Sequence, residues 1–243
     1  MNLVIAGITQ RQLLSRRRTL LLLLLGGILL LVALLRRISS AGPDADFTAD
    51  LLNNLGIAVL MPLVALIFGT GAMGAELEEG TAVYLLAKPI SRVVVVATKL
   101  IVAIGYTILL GAVPILLAGL VAGGDDALRL SLGFAVAAAI GAAVYCTIFV
   151  ALSLVTGRAF VFGLVYVLVW EGFLANFFPG TRTLSVHQQT LAFAQALGNP
   201  AGNVFKADLA LGTAVVVAAA ISVVALVIAL RRMARIEIAG EVA

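Results

Sequence analysis

Glu76-Leu-Glu-Glu-Gly-Thr-Ala-Val-Tyr-Leu-Leu-Ala-Lys-Pro-Ile-Ser-Arg92 is a charged island between two runs that are each apolar enough to cross a bilayer. Lipid packing gives no reason to place three carboxylates (Glu76, Glu78, Glu79), a proline and basic residues together here. Gly80-Thr81 is a helix-start signal, and the acids stand near the positive end of the helix it would open. Ala82, Leu85, Leu86 and Pro89 fall at i, i+3, i+4 and i+7, which is one apolar stripe. A short helix of this kind either rests on the membrane surface or fills a groove in a soluble partner.

The flanking sequence is that of an all-α membrane protein. Of 243 residues, 63% are hydrophobic and 12% charged, too apolar a balance for an ordinary soluble domain. Six stretches approach the roughly 20 apolar residues that span the hydrocarbon. They are about 19–35, 56–74, 91–121, 130–155, 159–178 and 209–230. Pro62 predicts a kink in the second. Pro89 ends the preceding helix and Ser91 caps the third, whose first turns, with Arg92 and Lys99, are expected to project beyond the membrane. Pro114 is expected to bend its far end. Arg16-Arg17-Arg18 before the first span is also how a signal peptide begins, but the long leader and the long apolar run favour an uncleaved helix.

With the N-terminus inside, eleven basic residues lie on inner segments and five on outer ones, so the charge bias predicts cytoplasmic termini. Arg36-Arg37 then falls outside and must snorkel to the interface. The net charge of +4 follows this topology and does not indicate a nucleic-acid partner. Gly133, Ala137 and Gly141 recur every four residues. That spacing either permits close helix approach or is chance in an alanine-rich segment.

Few other residues invite chemistry. Cys146 is the one cysteine and reads as a packing residue. His187, the one histidine, has no ligand-type neighbour in sequence, so it is a poor metal site. Asp44, Asp46 and Asp50 match no calcium loop and read as a solvated face. Phe173, Phe177 and Phe178 read as packing against lipid or helices. Glu171 beside Trp170 lies within the fifth span, where a carboxylate costs on the order of 2.5–3.5 kcal/mol. Either it contacts cargo or gates the outer end of a pathway, or it lies near enough to the interface to be hydrated. No catalytic constellation is visible, and the chain has no Gly-(x)4-Gly-Lys-Ser/Thr with which to bind ATP.

The motif Glu-x-Glu-Glu-Gly-Thr-(x)3-Leu-Leu-x-x-Pro-Ile-Ser-Arg, with Lys99 following, resembles the loop after the second span in ABC type-2 exporter permeases. Lys88 departs from the small or hydroxyl residue expected before that proline. The resemblance covers nearly the whole chain, as a single transmembrane domain over 1–243. Residues 1–18 look like the family's interfacial connecting helix, 76–92 like its coupling loop, and 179–208 like its extracellular segment with re-entrant outer parts.

It implies that Glu76, Glu78, Glu79, Gly80, Thr81, Leu85, Leu86, Pro89 and Arg92 seat in a separate ATP-binding subunit. That subunit would hold ATP and Mg; no cofactor or metal is expected in this chain. A second copy, or a similar permease, would complete the pore, with spans two and five near the seam and membrane lipid around it. The cargo implied is a hydrophobic small molecule or lipid, moved across a prokaryotic plasma membrane. An ion- or proton-driven secondary transporter is the alternative, but it predicts paired intramembrane charges and broken helices. A membrane-embedded enzyme would need convergent catalytic residues, and a structural scaffold leaves the loop motif unexplained.

Overall fold

Alternating apolar runs and short polar connections fold into antiparallel helices. The computed structural model describes residues 6–7, 9–10, 13, 16–39, 42–78, 91–124, 126–175, 179–199, 202 and 204–240. Among the described residues all regular structure is helical. Within the expected connecting helix, Ala6, Gly7, Thr9, Gln10 and Leu13 are helical, and Thr9 and Leu13 are buried.

Helix α1, Arg16–Ile38, is the leucine-rich first span. Its last turn carries Arg36 and Arg37, at the helix end that favours cations. Both find protein partners. Arg36 pairs with Asp44 at 3.4 Å and lies over the Phe47 ring, while Arg37 donates to the Val121 carbonyl at 3.2 Å.

Helix α2 covers residues 45–78, beginning well before the expected Gly56. Asp44 caps it by accepting from the Asp46 amide, and Thr48 donates to the Gly123 carbonyl at 2.9 Å. Asp46 and Asp50 are exposed, the solvated face expected of them, and with Asn53 they belong to the helix, because capping and burial of its apolar side outweigh their low helix propensity.

Helix α3, Arg92–Ala122, matches the expected long third span. Pro62 in α2 and Pro114 in α3 each lack the N–H that reaches back one turn. Each follows, within two residues, a π-helical stretch: Leu52–Leu60 and Ile108–Ala112. Gly123 and Gly124, with φ of 78° and 106°, make the sharp turn that follows.

Helix α4, Ala127–Val155, is the central helix and packs against α2, α3 and the elements that follow. Helix α5, Ala159–Leu174, has seven α-helical and nine π-helical residues. Residues 176–178 of the expected 159–178 lie outside the described residues; among the described residues five helices are long enough to cross a membrane, and α5 is a shorter apolar sixth. A 3-10 turn at Pro179–Leu184 leads into α6, Val186–Gly198. The last helix, α7, is Leu211–Gly240.

The glycine spacing in α4 has a structural counterpart. A Cβ on Gly133 would collide with the backbone of Gly198, and one on Gly141 would come within 2.6 Å of Thr190 Oγ1. The close helix approach that the spacing permits is realised, and the helix that approaches is α6. Because Gly198 meets Gly133 while Thr190 meets Gly141, α6 runs antiparallel to α4. Its first turn reaches roughly 21 Å along α4 from Ala127. Cys146 is buried, with its sulfur 3.2 Å from Thr107 Oγ1, as a packing residue would be.

Candidate functional site

Two groups of residues carry possible function, one at each end of the bundle. At the first, α2 continues past its apolar part to Glu78, so the Glu76 and Glu78 backbones lie in its last turn. A helix C-terminus disfavours carboxylates. Glu79, Gly80, Thr81, Leu85, Leu86 and Pro89 lie outside the described residues. Where the chain resumes, Ser91 occupies the N-cap position with extended backbone, and its carbonyl accepts from the Val94 and Val95 amides. Its hydroxyl makes no capping bond.

Arg92 points inward: Nη1 donates to the Met233 carbonyl of α7 at 2.7 Å. Lys99 does not project into solvent, as its position in the third span led us to expect. It is fully buried, and its ammonium donates to the Ala72 carbonyl at 2.8 Å. The antiparallel pairing of α2 and α3 lays its long side chain across α2. Both cations therefore tie the end of the island to other helices.

At the other group, the Glu171 carboxylate is buried and surrounded by donors. Tyr166 Oη donates to it at 3.0 Å and the Val186 amide at 2.8 Å. The Ser185 hydroxyl makes a short bond to it, and the His187 amide is 3.4 Å away. Two successive amides of the first turn of α6 thus face one carboxylate, the arrangement that a helix N-terminus offers to anions. The environment is neither bulk water nor bare hydrocarbon; the protein satisfies the group itself. Trp170, on the same π-helical stretch, is half-buried.

Ser185 caps α6 by accepting from the Gln188 amide at 3.2 Å. His187 Nε2 is 2.9 Å from Asn53 Oδ1 in α2. Burial pushes the His187 imidazole down to about 4, so it is neutral at physiological pH. Among the described residues no group of three or more metal-binding side chains converges.

The sequence reading missed Tyr166, Ser185, Asn53 and the burial of Lys99. One signal was present: Ser185 followed by Gln188 is the capping-box spacing that opens a helix. The partners Asn53 and Tyr166 have no such local mark.

Between α4 and α7 lies a cleft of about 580 Å³ lined by apolar side chains, among them Ile148, Leu152, Val217, Ile221 and Val224. Arg182, in the 3-10 turn that leads into α6, pairs with Asp208 at 2.7 Å, and at the far end of α6 Asn199 donates to the Phe205 carbonyl at 2.8 Å.

No curated protein matches the chain. A family model described as ABC-2 family transporter protein matches residues 6–232, nearly the full length and every helix described above. With its apolar helices, its charged island between α2 and α3 and this match, the chain belongs to the ABC-2 family of transporter proteins, as a membrane-spanning permease of an ABC transporter.

Proposed function

We propose that this permease exports a hydrophobic small molecule or lipid across a prokaryotic plasma membrane, with both termini in the cytoplasm. The family implies an ATP-binding partner subunit, and in this reading ATP and Mg are bound and consumed there. Leu85 and Leu86 supply the apolar anchor of the docking helix, while Glu76, Glu78 and Glu79 set its register against a basic surface. Gly80, Thr81 and Pro89 bound that helix.

The observation that carries this reading is the place of the island. It joins the end of α2 to the start of α3, so a push on it moves two long helices at once. A second copy of the chain, or a similar permease, completes the pathway between α2 and α5, with Glu171 and Trp170 toward its outer end and the α6 region re-entering from outside.

A mild-detergent pull-down of the tagged chain from its own cells tests the docking. An ATP-binding subunit should co-elute with the parent and be lost with Leu85→Asp/Leu86→Asp. If well-folded parent brings down no ATPase, the reading fails and an ion-driven secondary transporter takes its place.

A further inference from the structure

Helix α6 lies on a stripe of small residues, a surface that allows close approach. What fixes its first turn is polar and comes from two other helices. From α5, Glu171 accepts from the Ser185 hydroxyl and from the Val186 and His187 amides. From α2, Asn53 meets His187 Nε2 at 2.9 Å. Residues 185–187 are therefore held on one side by α5 and on the other by α2. Those two helices also touch directly, since a Cβ on Gly163 of α5 would collide with Leu66 of α2.

We propose that Glu171 and His187 are positioning residues that clamp the first turn of α6 between α5 and α2, so that α6 keeps its place only while those two helices keep their spacing. This rests on the reading of α2 and α5 as the flanks of the pathway. A motion of the island that parts them breaks one side of the clamp and frees the inner tip of α6, while Asn199–Phe205 holds its far end. Glu171 then acts through α6 and does not need to touch cargo.

The clamp is tested on the purified full-length chain in mild detergent, with Cys146→Ala removing its one cysteine. Thr190→Cys reports on the α4–α6 seam. Ser153→Cys, buried near the other end of α4, reports on global opening. The measurement is the rate of labelling by a charged maleimide. Glu171→Ala and, separately, His187→Ala should raise the rate at the Thr190 reporter about tenfold or more and leave the Ser153 reporter unchanged. Glu171→Gln, which keeps an acceptor oxygen, and His187→Gln, which keeps a donor toward Asn53, should restore much of the protection.

Asn53→Ala should act like His187→Ala, and it serves in its place if the latter does not fold. Unchanged labelling at Thr190, an equal rise at both reporters, or no rescue by the glutamine variants would overturn the clamp. The measurement needs neither ATP nor cargo. Its failure is therefore distinct from failure of the transporter reading, which the pull-down decides.

Discussion

A buried ionisable side chain records what its surroundings provide, and three such residues here are provided for differently. Lys99 lays its ammonium on a helix carbonyl, Glu171 collects donors from a neighbouring helix end, and His187 stays neutral against an amide oxygen. The last has a measurable consequence. His187 in the folded chain takes up a proton only near pH 4, whereas in an unfolded chain it does so near its ordinary 6.5. The unfolded state therefore binds the extra proton first as pH falls. The stability that neutral His187 supports is fully present above about 6.5, declines between there and 4, and is lost below, for a total of about 3 kcal/mol. Thermal midpoints in detergent at pH 7.5 and 4.5 should differ more for the parent than for His187→Gln. An equal drop in both would remove His187 as the source.

At the scale of elements, the steepest contacts are those of glycines with facing backbone. At Gly133 an added methyl meets the Gly198 backbone, which moves only if α6 moves. Gly133→Ala should therefore cost about 1–3 kcal/mol through overpacking. Gly141→Ala meets the Thr190 side chain, which has freedom to turn, and should cost less. Gly27→Ala points into open space and should be neutral or stabilising by up to about 1 kcal/mol. Thermal midpoints of the three variants give the order directly; a Gly133→Ala protein as stable as Gly27→Ala would remove the seam. The four-residue spacing of that stripe was readable from the sequence, but its partner was not, because spacing marks a face and says nothing of what covers it. The long third helix and its start at Ser91 were readable for a local reason, proline and cap chemistry. The start of α2 at Ala45 was not: Asp44, Asp46 and Asp50 read only as a solvated face until Asp44, Thr48 and the Gly123 carbonyl are seen to satisfy the helix end.

At the scale of the whole molecule, α4 and α2 are enclosed, while α1, α3, α5 and α7 present apolar faces outward, as a membrane-spanning helix bundle requires. Force entering through the island passes into the enclosed α2 and the outer α3, and Arg92 is placed to spread it further. It stands at the first residue of α3 and donates to the Met233 carbonyl of α7, a helix 141 residues away in sequence. The family resemblance assigns Arg92 to partner contact, whereas its guanidinium in the structure joins two helices of the same chain. The two roles separate experimentally. If the internal bond matters, Arg92→Ala should still bring down the ATP-binding subunit, because Leu85 and Leu86 remain to anchor it. Its cargo export per ATP hydrolysed should nevertheless fall severalfold, because α7 no longer follows α3. Arg92→Lys keeps a donor but loses the fork and should lie between the two. Retained pull-down with reduced coupling would assign Arg92 to transmission within the permease. Loss of the partner in Arg92→Ala, at a level matching Leu85→Asp/Leu86→Asp, would return it to the docking surface.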